Sequence, residues 1–145
     1  MLSQDDICWR KDGTLQVIIR RSKSDLFGEG RVAFTSKRSA ELVTVWLKWR
    51  GTEIRPLFCP IYKSRPIDRS LSTTSIKQII KETMKTLGMD GRIEPRFSGH
   101  SMRVGAAQDL LCAGFDTAAI MWAGGWKTIE VLARYLEYAE HNVWE

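Results

Sequence analysis

The sequence predicts an α+β fold that is mainly α-helical, with a small three-stranded antiparallel sheet near the N-terminus. Short β-branched and apolar runs alternate with turn signals over residues 4–35, which is typical of strands. Apolar residues then recur at helical spacing over most of residues 36–140. Serine, threonine or aspartate precedes these helical stretches and glycine follows most of them, as expected of helix caps.

The predicted strands are short and are separated by turns. They lie at residues 5–10, 14–20 and 31–35. A Lys-Asp-Gly sequence at residues 11–13 indicates the first turn, and the polar residues 22–30 with two glycines indicate a longer loop. Residues 20–24 make this second connection basic, and by themselves they are typical of a solvated loop.

Five helices follow the strands. They are predicted over residues 36–50, 72–87, 99–113, 117–123 and 129–140. Residues 51–71 hold three of the chain's four prolines and are expected to be irregular. Spacing predicts that the following side chains face inward: Leu42, Val45, Trp46, Trp49, Ile76, Ile79, Ile80, Met84, Leu87, Val104, Ala107, Leu110, Leu111, Leu132 and Leu136.

Length and composition indicate one globular domain over residues 1–145, with 43% hydrophobic and 27% charged residues. No apolar run approaches the roughly 18 residues that span a bilayer, and the N-terminus does not resemble a signal peptide. The three cysteines match no metal-binding spacing, which favours reduced thiols, a cytoplasmic location and core packing for Cys112. The sequence therefore predicts neither a membrane partner nor a metal site.

The net charge of +5 is spread unevenly along the chain. Residues 1–100 carry 19 Lys and Arg against 11 Asp and Glu, whereas residues 101–145 carry 3 against 6. A basic body favours a polyanionic partner, with nucleic acid ahead of a membrane surface.

Four residues near the C-terminus supply the parts needed to hold and attack a phosphate. His100 and Arg103 lie on one face of a predicted helix, Trp126 follows 23 residues after Arg103, and Tyr135 follows nine residues after Trp126. Taken singly, each residue is more typical of capping or core packing. A helix-turn-helix over residues 116–136 is an alternative, but its second helix has few side chains that read base edges.

The order His-x-x-Arg, Gly-Gly-Trp and then Tyr resembles the tyrosine recombinases, also called the phage integrase family. Residues 98–109 and 120–126 are most similar to the Cre-type branch of that family. The resemblance is specific over residues 97–138 and looser, but in the same order of elements, over residues 5–90. It implies the fold of a tyrosine recombinase catalytic domain.

The resemblance also implies a role for each residue in DNA strand cleavage and rejoining. Tyr135 would attack a phosphodiester to form a 3′-phosphotyrosyl link, and Arg103 would hold the non-bridging oxygens. His100 would donate a hydrogen bond or transfer a proton, and Trp126 would donate its indole N–H. Lys23, on the hairpin between the second and third strands, would protonate the leaving 5′-oxygen, which reverses the solvated-loop interpretation of residues 20–24.

The family chemistry needs no metal and no cofactor, because the phosphotyrosyl link conserves the energy of the broken bond. Its partners would be double-stranded DNA and other recombinase subunits, with four subunits assembled on two DNA sites. The location would be the cytoplasm, at the nucleoid of a bacterium or during a phage infection. Basic residues expected to contact DNA are Arg20, Arg21, Lys63, Arg65 and Arg69.

The sequence departs from the family pattern at both ends. The family's N-terminal DNA-clasping domain has no counterpart, and neither does its other catalytic arginine, since Arg10 follows the start of the first strand. The chain also ends ten residues after Tyr135. We therefore expect a catalytic-domain fragment that is weak or inactive alone. Two alternatives stay open, a type IB topoisomerase-like enzyme that relaxes DNA and an inactive DNA-binding remnant.

Overall fold

The computed structural model describes residues 2–20, 30–88 and 98–137. The chain divides into two compact units, Met1–Leu71 and Ser72–Glu145. In chain order the strands and helices are β1 (Ile7–Trp9), β2 (Leu15–Ile19), β3 (Arg31–Phe34), α1 (Lys37–Arg50), β4 (Ile61–Tyr62), β5 (Arg65–Pro66), α2 (Thr73–Thr86), α3 (Gly99–Cys112), α4 (Thr117–Gly124) and α5 (Ile129–Leu136). The predicted α+β class is confirmed.

The first unit contains the predicted antiparallel sheet, in the order β1-β2-β3. Val17 in the central strand pairs with Ile7 on one side and Ala33 on the other. The first predicted strand begins too early, because Gln4–Asp6 forms a short 3-10 turn. The cause is a capping box, in which the Asp6 carboxylate accepts hydrogen bonds from the Ser3 N–H (2.8 Å) and hydroxyl (3.0 Å).

Asp6 is a buried carboxylate, with 2% of the residue exposed. Arg20 approaches it from the end of β2, with its Nε 2.6 Å from the carboxylate oxygen. The main-chain N–H of Ser3 is the largest cause that holds the pKa of Asp6 below its usual range, and the hydrogen bond from Arg20 acts in the same direction. The start of the chain is thus fastened to the sheet by an ionised group.

Helix α1 begins where its cap predicts, since the Ser36 hydroxyl accepts a hydrogen bond from the Ser39 N–H (3.1 Å). The expected burial of its apolar face is wrong in part. Trp46 is half-buried and donates its indole N–H to the Leu57 carbonyl (2.8 Å), but Leu42, Val45 and Trp49 are exposed. Helical spacing identifies an apolar face without showing whether another element covers it.

Residues 51–71 are more ordered than predicted, because β4 and β5 form a small hairpin. Its two-residue turn places both Lys63 and Ser64 at positive φ. The same segment is held by Arg50, only 3% exposed, whose guanidinium donates to main-chain carbonyls of Ile54 and Pro56 and to the Gln4 side chain. One buried arginine therefore ties the end of α1 to the loop and to the N-terminal turn.

In the second unit, α3, α4 and α5 surround a small core. Its fully buried members are Ala107, Ile120 and Leu132, each with 0% exposure. Serine and aspartate cap helices α2, α3 and α4 as predicted, whereas Thr128 stands at the start of α5 without a side-chain cap bond.

Some predicted core positions of this unit are exposed. In α2 only Met84 is buried, while Ile76, Ile79 and Leu87 are exposed. Cys112, expected in the core, is also exposed, because it lies at the last turn of α3. The predicted end of α5 at residue 140 lies outside the described residues.

Candidate active site

Four side chains that are up to 35 positions apart in sequence meet in one cluster of the second unit. His100 and Arg103 come from the first turns of α3, Trp126 from the connection after α4, and Tyr135 from the last turn of α5. The Ser98 hydroxyl caps α3 by accepting the His100 N–H at 3.2 Å. This cap fixes where the helix starts, and therefore where His100 and Arg103 project.

The Tyr135 ring lies between two other rings. Its centroid is 5.1 Å from that of His100, with the ring planes at 80°, and 5.8 Å from that of Trp126, at 68°. Both are edge-to-face arrangements, which aromatic rings favour. The phenol is half-buried, so its position is set by packing on two sides.

A glycine pair turns the chain back after α4 so that Trp126 enters the core. Gly125 takes a left-handed φ of +67°, and the Trp126 N–H donates to the Met121 carbonyl at 3.0 Å. The indole then lies against Gly124, where an added Cβ would overlap the six-membered ring. Trp126 is 9% exposed and is both a core residue and one wall of the cluster.

Arg103 stacks on this indole, with its guanidinium carbon 4.4 Å from the ring centroid. Stacking leaves the guanidinium N–H donors at the edge of a flat cation, where they suit an oxyanion. Among the described residues, the buried indole Nε1 of Trp126 has no hydrogen-bond partner. The Nε1 of Trp126 is thus a buried donor that the described residues leave without an acceptor, as is the Nε of Arg50 in the first unit.

Together the four groups match the needs of phosphate chemistry. Arg103 offers positive charge, the Trp126 N–H and the His100 imidazole offer ring donors, and Tyr135 carries a hydroxyl of the kind that serves as a nucleophile in covalent catalysis. The indole N–H does not titrate, so its donor capacity is independent of pH.

Comparison with known proteins identifies the family. The model of the family described as "Phage integrase family" matches residues 2–141. The chain belongs to the phage integrase family.

Two curated relatives agree with this assignment. The chain is 30% identical over 142 residues to "Recombinase cre" of Escherichia phage P1, covering 90% of the chain. It is 28% identical over 143 residues to "Integrase/recombinase xerD homolog" of Selenomonas ruminantium, covering 94% of the chain. The chain spans 41% of the length of each of these relatives.

Two solved structures have the same fold. The crystal structure of XerA recombinase matches with a TM-score of 0.70 and 19% identity, covering 99% of this chain and 47% of that one. The XerH site-specific recombinase, solved bound to a palindromic difH substrate as a post-cleavage complex, matches with a TM-score of 0.69 and 17% identity, covering 96% and 37%. These likenesses confirm the predicted tyrosine recombinase catalytic-domain fold.

The remaining predicted site residues of this integrase-family chain belong to the first unit. Lys23 and Arg21 lie outside the described residues. Arg20 is partly engaged by Asp6 but leaves 67% of its side chain exposed. The other predicted DNA contacts, Lys63, Arg65 and Arg69, are exposed. The Lys63 ammonium lies 5.4 Å from the centroid of the neighbouring Tyr62 ring.

One polar contact of the site was not predicted. The Gln108 amide, on α3, donates to the main-chain carbonyl of Tyr135 at 2.9 Å. Gln108 lies within the same motif as Arg103, but a glutamine on a helix has no spacing that indicates a partner 27 positions away. Only the packing of α5 against α3 reveals the contact.

Neither a metal site nor a membrane span accompanies this cluster in the described residues. Over residues 2–20, 30–88 and 98–137, no three His, Cys, Asp or Glu side chains are grouped so that they could hold a metal ion. Within the same ranges, none of the helices combines the length and apolar character needed to cross a membrane.

Proposed function

We propose that this chain carries the catalytic centre of a site-specific DNA recombinase that cuts and rejoins strands through a 3′-phosphotyrosyl intermediate. The observation that carries the proposal is the position of Tyr135 between His100 and Trp126, with Arg103 stacked on the same indole. Membership of the phage integrase family supports it.

The proposed step exchanges one phosphate ester for another. The Tyr135 hydroxyl oxygen attacks the phosphorus, the bond from phosphorus to the 5′-oxygen breaks, and its electron pair leaves with that oxygen. The phenol proton passes to His100 or to solvent, and Lys23 supplies a proton to the departing 5′-oxygen. A 5′-hydroxyl reverses the step, so the reaction consumes no nucleotide and needs no cofactor.

Arg103 and Trp126 stabilise the charge that develops on the phosphoryl oxygens. Each donor that is already aimed at such an oxyanion contributes about 3–4 kcal/mol to transition-state stabilisation. Within the described residues the Nε1 of Trp126 has no acceptor, which supports this role, because a phosphate oxygen would supply one.

Double-stranded DNA is the proposed substrate and partner. The net charge of +5 favours a polyanion, and exposed Arg20, Lys63, Arg65 and Arg69 would contact its backbone. Assembly with further recombinase subunits and action at a bacterial nucleoid or on phage DNA belong to the same proposal. Replacing Lys63 with alanine should reduce the salt dependence of log Kd by about one unit if it neutralises one phosphate.

A nicked duplex provides the direct test. The short strand beyond the nick dissociates after cleavage, so rejoining fails and any phosphotyrosyl adduct accumulates on a denaturing gel. We expect an adduct with the chain carrying any upstream extension that the gene encodes, a weaker one or none with the chain alone, and none with Tyr135→Phe in either form. The matched control is Tyr138→Phe, which removes the next phenol hydroxyl in the sequence and should leave the adduct intact.

The contrary outcomes separate the alternatives. An adduct that survives Tyr135→Phe would show that another residue is the nucleophile. Salt-dependent DNA binding without an adduct, over a pool of duplex sequences and with any upstream extension that the gene encodes, would favour a DNA-binding remnant. Plasmid relaxation without exchange between sites would favour a topoisomerase-like activity.

A further inference from the structure

We propose that Gln108 is a positioning residue that holds the nucleophile-bearing helix α5 in the active site. Its side-chain Nε2 donates to the main-chain carbonyl of Tyr135 at 2.9 Å. The inference that this contact affects catalysis rests on the proposed role of Tyr135, whereas the contact itself is tested independently below.

The other anchors of helix α5 among the described residues are apolar: Leu132 lies in the core, and Tyr135 and Leu136 pack against it. It is eight residues long, and isolated helices of this length are not stable in water. Leu132 is its one fully buried residue, whereas Ile129 and Val131 are exposed. The position of α5 therefore depends on a small number of tertiary contacts.

Helix α3 supplies two adjacent contacts of different kinds. Ala107 packs in the same buried core as Leu132, and the next residue, Gln108, bonds to Tyr135 one turn further along α5. The apolar contact is non-directional and tolerates rotation or sliding. The hydrogen bond from the Gln108 amide is directional. It therefore fixes the rotation of α5 at the residue that carries the nucleophile.

The bond is made to the main chain of Tyr135 and does not use the phenol hydroxyl. Gln108 can therefore hold the helix while the hydroxyl reacts, and the contact is preserved in Tyr135→Phe. Loss of the bond would allow the Tyr135 ring to move away from its edge-to-face positions against His100 and Trp126. A typical net hydrogen-bond free energy corresponds to an increase of about fivefold in the population of the detached helix.

Hydrogen–deuterium exchange of the DNA-free chain tests the contact. Gln108→Glu keeps the size of the side chain but replaces the donor with a carboxylate that repels the carbonyl. We expect the amides of α5 to exchange about fivefold faster, while those of α4 and of the β1-β2-β3 sheet keep their native rates. Gln108→Lys retains a long donor and should restore most of the protection.

Gln78→Glu is the matched control, because Gln78 is an exposed glutamine on α2 that bonds to Glu82. It should leave α5 exchange unchanged. Native exchange of α5 in Gln108→Glu would overturn the proposal, and so would an equal acceleration in α4, which would indicate general destabilisation.

The catalytic consequence is measured with the nicked duplex. Gln108→Glu should slow adduct formation about fivefold at saturating DNA, and Gln108→Lys should recover it. Loss of α5 protection without any change in adduct rate would show that the contact does not position the nucleophile. If neither the chain nor its upstream-extended form yields an adduct over a pool of duplex sequences, the proposed function fails, and the exchange comparison still decides whether Gln108 holds α5.

Discussion

Gly124 offers the sharpest test of how the active-site cluster is built, because its missing side chain makes room for the Trp126 indole. A Cβ added at Gly124 would overlap the Cζ3, Cε3 and Cη2 atoms of that ring. The indole is rigid and only 9% exposed, so it cannot yield without leaving its place in the core. Gly124→Ala should therefore displace Trp126.

Three effects determine how far Gly124→Ala changes the free energy of unfolding. Overpacking costs about 1–3 kcal/mol, and displacement of the indole removes the cation–π contact with Arg103, which contributes about 0.5–2 kcal/mol. The higher helix propensity of alanine offsets about 1 kcal/mol of this loss in unfolding free energy. The net loss of about 0.5–4 kcal/mol should lower the thermal midpoint, followed by circular dichroism, by about 1–16 °C.

Gly105→Ala is the matched control, because the same change is made inside α3. A Cβ at Gly105 meets nothing within 4 Å, so only the helix propensity changes. The control should raise the thermal midpoint by about 2–4 °C. If Gly124→Ala is as stable as Gly105→Ala, the indole does not occupy the place described, and the account of the cluster is wrong.

Three further predictions concern groups whose partners are known. Asp6→Asn should cost about 1–3 kcal/mol at neutral pH. Because folding lowers the pKa of Asp6, its contribution to the free energy of unfolding is fully present above the unfolded-state pKa near 3.8 and is lost as pH falls through the folded-state pKa. Urea unfolding at a series of pH values measures this dependence. Arg50→Lys should cost about 2–4 kcal/mol, since an ammonium cannot reach all three acceptors, whereas exposed Lys48→Ala should change the unfolding free energy by less than about 0.5 kcal/mol. Trp126→Phe should slow adduct formation by on the order of 100-fold, because it removes an oxyanion donor, while urea unfolding shows a loss of only about 1–2 kcal/mol.

A difference between Asp6→Asn and the native chain that persists unchanged at acid pH would show that ionisation of Asp6 is not its source. Equal effects of Arg50→Lys and Lys48→Ala would show that the carbonyl contacts of Arg50 contribute little. A native adduct rate in Trp126→Phe would exclude the indole N–H as a phosphate donor.

Local sequence signals located the helices and strands well. Ser36, Ser72, Ser98 and Asp116 cap the predicted helices, because a side-chain oxygen that accepts the first free N–H groups acts within three residues. The same locality explains the error at the first strand. The Ser3 and Asp6 capping box competes with strand pairing at the N-terminus, and strand patterning did not reveal it.

Burial was predicted less well than secondary structure. The apolar spacing of Leu42, Val45 and Trp49 matches a helix face, yet all three are exposed in the described structure. Periodicity reports the geometry of one element, whereas burial depends on which surfaces other elements present to it. For the same reason, no pattern indicated that the Arg50 guanidinium is buried among carbonyl oxygens.

The sequence by itself determined the fold class, the helix starts and the identities of the four clustered residues, through caps, periodicity and a family motif. Only the tertiary structure decided that His100, Trp126 and Tyr135 stack edge to face, that Gly124 makes room for the indole and that Gln108 bonds to the main chain of Tyr135. The physical reason is the separation in sequence between the residues that interact. Caps and turns are set by neighbours in the chain. The hydrogen bond between Gln108 on α3 and Tyr135 on α5 joins residues 27 positions apart, and it exists only once the helices pack around Ala107 and Leu132.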